Sequence, residues 1–135
     1  MISNTLSREI YKQQMIKNLI LVGLGGGLGA VLRYAVSLAI HARYFPYATL
    51  AINISGSFII GLLLAFSIKE NGLNHNWKLF LATGICGGFT TFSAFSIENL
   101  GMLQSGKTGM AFLYIMLTVV LGIAATFAGY QLFKN

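Results

Sequence analysis

Four long apolar segments separated by short polar connections dominate the hydropathy pattern of the chain. They cover about residues 19–40, 47–68, 79–102 and 110–133. A helix needs roughly 20 apolar residues to cross the hydrocarbon core of a bilayer, so each segment is long enough to span it. The pattern predicts an all-α membrane protein with four transmembrane helices, and it leaves little chain for anything else.

The first 18 residues differ from the rest of the chain. They mix charged side chains with isolated apolar ones and lack the uninterrupted apolar stretch of a cleavable signal peptide. The sequence therefore predicts a cytoplasmic or interfacial N-terminal tail over residues 1–18. A single four-helix transmembrane domain is expected over residues 19–135.

Composition supports a multi-pass protein of the cell membrane. Of the 135 residues, 56% are hydrophobic and 9% are charged, whereas a soluble domain carries about 25% charged residues. The net charge is +6, but the cations are scattered singly and form no basic run that would bind nucleic acid phosphates. The sequence also lacks a nucleophile–base pair and a cluster of metal ligands, so we expect neither nucleic acid binding nor enzymatic activity.

The distribution of Lys and Arg predicts an orientation. An even number of helices places both termini on one face, which carries 6 cations against 2 on the other, while Arg33 lies inside the first segment. By the positive-inside rule, the termini are expected in the cytoplasm. The first face carries Arg8, Lys12, Lys17, Lys69, Lys78 and Lys134, and the second carries Arg43 and Lys107.

The first apolar segment contains a dense run of glycines, "GLGGGLGAVLRY" at residues 23–34. Its G-x-G-x-x-A spacing matches a dinucleotide-binding loop, but such a loop needs an acidic residue about 20 positions later, and the next acid is Glu70. Two GxxxG spacings, 23–27 and 25–29, instead favour close packing of two helices. We expect packing positions at Gly25, Gly26, Gly29 and Arg33 in the first segment and at Gly56 in the second.

Two polar side chains inside the apolar segments each allow two interpretations. Arg33 either extends to the nearer membrane interface or binds helix-end carbonyls or anions, since an intramembrane charge is a functional candidate. Asn53, in "NISGSF" at 53–58, either hydrogen-bonds a neighbouring helix or offers its two N–H donors to an anion.

The third segment contains a weak point for a helix. Gly87, Gly88, Thr90 and Thr91 interrupt an otherwise apolar stretch, and a break there would free backbone carbonyls, which are hard oxygen ligands for a small cation. Irregular backbone at membrane depth is tolerated only where it is buried in protein or lines a cavity. The aromatic residues that follow, spaced three apart, are either packing residues or a source of electropositive ring edges for an anion.

Three motifs together carry a family resemblance. "GGLGAVLRY" (26–34), "NISGSF" (53–58) and "GGFTTFSAFS" (87–96) resemble the signatures of the CrcB, or Fluc-type, fluoride channels. The resemblance implies an antiparallel dimer of four-helix subunits with a broken third helix. It further implies two fluoride pores at the dimer interface, passive fluoride export that relieves toxicity, and a structural sodium ion on the two-fold axis.

The resemblance also implies roles for individual residues. Backbone carbonyls of Gly87 and Thr90 would bind sodium, and Glu98 would stand near a vestibule. Ala94 occupies a position where the family motif usually has a hydroxyl, which predicts a thinner polar track there or compensation by a neighbour. The fluoride pore would be lined by Asn53, Phe92, Phe95, Ser93, Ser96, Tyr114 and Thr118.

The main alternative function is that of a small multidrug/proton antiporter, which is also built from four-helix subunits. That chemistry needs a carboxylate embedded in the membrane, and the only candidate here is Glu98, near the end of a segment. The partner in the dimer also has two interpretations. A second copy is the default, because this one chain has all the pore motifs, whereas the 6-to-2 charge bias favours an oppositely oriented homologous subunit.

Overall fold

The computed structural model describes residues 2–40, 44–69 and 72–134, and the positions of His41 and Arg43 lie outside these ranges. It is all-helical in the described part. Four stretches are long and apolar enough to cross a membrane: Leu6–Ala39, Tyr47–Ser67, His75–Gln104 and Thr108–Phe133. The expectation of four spanning helices is confirmed. The elements are α1 (Ile2–Ala39), α2 (Tyr47–Ser67), α3 (His75–Trp77), a π-helical segment (Lys78–Cys86), α4 (Gly87–Phe89), α5 (Phe92–Gln104) and α6 (Thr108–Phe133).

Helix α1 is much longer than the apolar pattern indicates. It begins at Ile2 rather than near residue 19 and continues without interruption for 38 residues. At 1.5 Å per residue it is about 57 Å long, compared with about 30 Å for the hydrocarbon core of a bilayer. Residues 2–18 are therefore a helical continuation of the first span, and their cytoplasmic or interfacial placement stays a prediction.

The third span is broken, as expected. Thr90 and Thr91 have extended backbones, with φ/ψ of −74°/153° and −147°/113°, and they separate α4 from α5. Gly87 and Gly88 remain helical and belong to α4. The break thus falls on the two threonines rather than on the glycines before them.

Glycines allow the helices to pack backbone to backbone. A Cβ atom on Gly25 would overlap the Phe80 carbonyl, and one on Gly29 would overlap the Ile85 carbonyl. These glycines lie where α1 packs on the π-helical segment and α4. Helices α2 and α6 form a second packed pair, in which Gly61 approaches the carbonyl of Thr126.

Only one of the two GxxxG spacings is used inside the chain. Gly25 and Gly29 are packed, whereas a Cβ on Gly23 or Gly27 would meet nothing within 4 Å. A Cβ on Gly26 would also be free, although the Gly26 carbonyl lies against Gly88. The packing predicted at Gly25 and Gly29 therefore lies between α1 and the third span.

Most of the apolar surface of the spans points away from the chain itself. In no span is more than 33% of the apolar stretch buried inside the structure. The accessible surface is 9170 Å², compared with about 6,900 Å² for a compact monomer of 14.6 kDa by the usual scaling. This outer surface is available to lipid or to another subunit.

Candidate functional site

A broad open cavity of about 580 Å³ lies beside the break in the third span. Helices α2 and α6 and both halves of the third span contribute to its wall. Seven of the residues singled out from the sequence line it: Asn53, Gly56, Gly87, Thr90, Phe92, Phe95 and Thr118. The cavity therefore brings together residues expected in the pore and residues expected to bind a cation.

Asn53 holds the break in place. Its Oδ1 accepts a hydrogen bond from the Thr91 N–H at 2.9 Å, and its Nδ2 donates to the Thr91 carbonyl at 3.2 Å. One carboxamide thus satisfies both backbone groups of a residue that has left the helix. The second Nδ2 hydrogen is a further donor at the cavity wall.

The threonine side chains at the break form hydrogen bonds with the helical segments on either side of it. The Thr91 side chain accepts from the Ala94 N–H at 3.3 Å, which is an N-cap for α5. The Thr90 hydroxyl donates to the Cys86 carbonyl at 2.9 Å, so it closes the end of the preceding segment. A Cβ on Gly56 would overlap the Thr90 methyl group, so Gly56 is the packing position on α2 opposite the break.

Arg33 binds a helix-end carbonyl. Its Nε donates to the Gly88 carbonyl at 3.2 Å, which is the group that Phe92 would bond if the helix continued. Of the two interpretations of Arg33, the structure supports the contact with a helix end.

The break leaves other carbonyls without donors. Across residues 2–40, 44–69 and 72–134, no hydrogen bond is formed to the carbonyls of Gly87 or Thr90. The Thr91 N–H, four residues after Gly87, donates to Asn53 instead. A Cβ on Gly87 would meet nothing within 4 Å. Two hard oxygen atoms at the cavity thus lack a partner within the described chain.

We expect Asn53→Leu to destabilise the chain by about 2–4 kcal/mol, because it leaves an N–H and a carbonyl of Thr91 unpaired in a low-dielectric interior. Thermal unfolding in detergent measures the loss. Ser55→Ala is the matched control, because the Ser55 hydroxyl bonds only within its own helix, to the carbonyls of Ala51 and Ile52. Equal stability of the two variants would contradict the role assigned to Asn53.

The cavity is lined by two phenylalanines of α5 and by Thr118, whose hydroxyl has no hydrogen-bond partner in the described residues. The rings of Phe92 and Phe95 are 5.5 Å apart, and the Phe95 ring is 5.1 Å from the Tyr114 ring. Phe92 is 78% exposed, so it projects out of this chain. The Thr118 hydroxyl is buried and has no hydrogen-bond partner within the described residues, which makes it an available group at the cavity wall.

Tyr114 is buried and its hydroxyl donates to a carboxylate. It is fully buried, and its hydroxyl donates to Glu98 Oε2 at 2.7 Å, while Thr49 donates to Glu98 Oε1 at 2.6 Å. Glu98 also lines a second open cavity of about 430 Å³ together with Tyr44, Phe45, Pro46, Gly101, Met102, Ser105 and Lys107. Glu98 thus connects the buried Tyr114 to a mouth at one end of the bundle.

Sequence reasoning missed Thr49, which donates to Glu98. Thr49, Asn53 and Ser57 are spaced four residues apart along α2, which places them on one helix face. That spacing is the signal that would have identified the polar stripe.

The two serines of α5 do not line the cavity. The Ser93 hydroxyl lies 3.3 Å from the Thr91 hydroxyl, and the Ser96 hydroxyl donates to the Phe92 carbonyl at 2.9 Å. Both side chains are exposed. Their place in a polar track stays a prediction, and so does the effect of Ala94.

Comparison with known proteins supplies the family. A family model described as CrcB-like protein, Camphor Resistance (CrcB), matches residues 20–130. A protein of Azobacteroides pseudotrichonymphae is 47% identical over 121 residues, which are 87% of this chain and 97% of the relative. A protein of Flavobacterium psychrophilum is 48% identical over 123 residues, 89% and 99% of the two chains. A third, of Thermus thermophilus, is 44% identical over 120 residues, 87% and 94% of the two chains.

Each of these three relatives is named a fluoride-specific ion channel FluC. The family match contains the glycines of α1, the Asn53 stripe of α2 and the whole broken third span. The four spanning helices make the protein a multi-pass membrane protein. On the family match and on identities above 40% along most of its length, the chain belongs to the CrcB-like family.

Proposed function

We propose that the chain forms a fluoride-specific ion channel that lets fluoride leave the cytoplasm passively and so relieves its toxicity. The observation that carries the proposal is the cavity at the broken third span, where ring edges and polar donors lie together. The names of the relatives give the ion, and the cavity supplies groups that suit it.

A small dehydrated anion needs electropositive groups that do not hold it permanently. The rings of Phe92 and Phe95 offer electropositive edges. The second N–H of Asn53 and the orphan hydroxyl of Thr118 are hydrogen-bond donors at the same wall. These hydrogen-bond donors carry no fixed positive charge. A fluoride ion bound to them can therefore be released again rather than held permanently.

The shape of the chain supports a dimer in which a second subunit closes the cavity. The cavity is open on one side, Phe92 projects outward, and much of the apolar surface is unburied. We propose that the partner is antiparallel, either a second copy or an oppositely oriented homologous subunit. Fluoride then passes between the two subunits, within the lipid bilayer.

A structural sodium ion fits the break. The carbonyls of Gly87 and Thr90 are hard oxygen atoms without donors in the described chain, and oxygen ligands suit a small hard cation. Two subunits would supply four such carbonyls. Bound there, sodium would fasten the subunits together and give the neighbouring cavity a positive field that attracts an anion.

We expect Gly87→Leu to weaken dimer assembly while the single chain still folds, because a Cβ at this position meets nothing within 4 Å and the leucine side chain would fill the space proposed for the cation and the partner. Thr90→Ser is the mild control, since it keeps the backbone carbonyl and the hydroxyl that donates to Cys86. Size-exclusion chromatography with light scattering, in sodium and in a large organic cation, measures assembly. Dimers of Gly87→Leu as stable as those of Thr90→Ser, or assembly indifferent to sodium, would contradict the site.

Growth in fluoride tests the function in the cell. A bacterial strain without its own fluoride exporter should regain growth in fluoride-containing medium when it expresses this chain, together with an oppositely oriented subunit if one is needed. Phe95→Ile, expressed at the same level, should restore little growth. Sensitivity equal to that of cells without the chain would contradict fluoride export.

The antiporter alternative has less support. Its essential carboxylate would have to face a drug-binding cavity, whereas Glu98 lies on the separate mouth and accepts bonds from Thr49 and Tyr114. None of the residues lining the 580 Å³ cavity is acidic.

A further inference from the structure

The N-terminal part of α1 lies outside the family match. The match begins at residue 20, and two relatives are covered over 97% and 99% of their lengths although only 87% and 89% of this chain takes part. Residues 2–18, here called the N-terminal extension, are thus a feature of this chain that the CrcB-like match does not explain.

The extension continues the first span as an unbroken helix. From Leu19 to Ala39, α1 has 21 residues, or about 32 Å, which is enough to cross the hydrocarbon core. The 17 residues of the extension add about 26 Å beyond it. At its base, Asn18 Nδ2 is 3.4 Å from His75 Nε2, so the extension emerges on the face where the third span begins.

The extension is cationic and close to the membrane. It contains three cations, Arg8, Lys12 and Lys17, and a single acid, Glu9. Along the helix axis they lie about 16, 10 and 3 Å from Leu19. All three are therefore within the 15–20 residues of a span end over which Lys and Arg determine orientation.

Without the extension, the charge of the two membrane faces is almost even. The face of the termini would carry Lys69, Lys78 and Lys134, and the opposite face carries Arg43 and Lys107, so the count is 3 against 2. With the three cations of the extension it becomes 6 against 2. A balanced core permits insertion in both orientations, whereas an excess of four cations favours one.

We propose that the N-terminal extension fixes the orientation of this chain, with both termini on the cytoplasmic side. The membrane potential and the anionic lipids of the cytoplasmic leaflet both hold cations on that side. The consequence for the partner rests on the antiparallel pairing proposed above. In the cell, a chain held in one orientation pairs with a chain of opposite charge bias, whereas purified copies are no longer held in one orientation and can pair with each other.

Orientation is measured with two fusions after residue 135, one to a fluorescent protein that matures only in the cytoplasm and one to a phosphatase active only outside. We expect wild type to give at least about tenfold more cytoplasmic than outside signal, normalised to expression. The triple variant Arg8→Gln, Lys12→Gln, Lys17→Gln keeps a helix of the same length and should bring the two signals within about threefold. Arg8→Lys keeps the charge and should behave as wild type.

A deletion of residues 2–17, which removes all three cations of the extension, is the second test. It retains Asn18 and its contact with His75, and it should insert in both orientations like the triple variant. Comparable signals from both faces in wild type, or one fixed orientation in both the triple variant and the deletion, would overturn the proposal. The fusions measure orientation alone, so a failure here leaves the channel proposal standing, and loss of fluoride transport would not alter the orientation result.

Discussion

Phe95→Ile is expected to lower fluoride efflux by about tenfold or more, because the loss of roughly 1.4 kcal/mol of interaction with the ion corresponds to a factor of ten. Isoleucine keeps the apolar volume but has no electropositive ring edge. Phe95 lies at the cavity between the rings of Phe92 and Tyr114, so its edge is next to the proposed path. Phe92→Ile, at the outward-facing ring, should have an effect of the same sign. Efflux from liposomes at equal protein content is the measurement.

The matched control is Phe127→Ile on α6. Phe127 is 62% exposed and does not line the cavity. Fluoride efflux through the Phe127→Ile variant should therefore equal that of wild type. Dimer content is measured for every variant, so that a loss of assembly is not read as a loss of permeation. If both Phe92→Ile and Phe95→Ile keep full fluoride efflux, the two aromatic rings serve only in packing and take no part in permeation.

Gly29→Ala and Gly27→Ala are expected to change stability in opposite directions. Both replacements favour the helix by up to about 1 kcal/mol. A methyl group at position 29, however, would overlap backbone atoms of Ile85 and Phe89, whereas at position 27 it meets nothing within 4 Å. Backbone atoms cannot move aside cheaply in a packed interior, so Gly29→Ala should lower the unfolding temperature and the yield of dispersed protein.

Thermal unfolding in detergent separates the two glycine variants. Gly27→Ala should unfold at or above the temperature of wild type, and Gly29→Ala clearly below it. If both variants unfold at the wild-type temperature, the close approach of α1 to the third span is not needed for stability. A loss in Gly27→Ala alone would show that the exposed glycines 23 and 27 make the essential contact.

The helices could be predicted from the sequence, because crossing a bilayer needs a long apolar stretch whatever its tertiary contacts. The break in the third span was also predictable, and it falls within the predicted set of residues, but which members of that set leave the helix was not predictable. Gly87 and Gly88 are poor helix formers, yet they stay helical, and Gly88 packs against Gly26. Thr91 leaves the helix because its backbone N–H and carbonyl both pair with Asn53, which is 38 residues away in sequence.

The length of the first helix could not be predicted from the hydropathy pattern. Hydropathy marks the apolar stretch of a span but does not show how far the helix continues beyond that stretch. The residues from Ile2 to Asn18, which mix polar and apolar side chains, nevertheless extend α1. The role proposed for them rests on the helix length and the charge count together.

Site residues that lie in one short motif could be predicted from the sequence. Contacts between side chains that are far apart in sequence could not. The α5 phenylalanines and Asn53 were found from local patterns and line one cavity. The bonds of Glu98 to Thr49 and Tyr114 join three helices, and no spacing along the chain predicts such a meeting. Ser93 and Ser96 share the motif, but they lie on the exposed side of α5.

Passive fluoride permeation through this chain is tested most directly by efflux from liposomes. The purified chain alone is reconstituted in both orientations into fluoride-loaded vesicles, and a fluoride electrode records release after a potassium ionophore dissipates the opposing voltage. We expect rapid fluoride release down its gradient, with no need for a proton gradient and no release of chloride from matched vesicles. Fluoride release no faster than from protein-free vesicles, with dimers shown to be present, would contradict it.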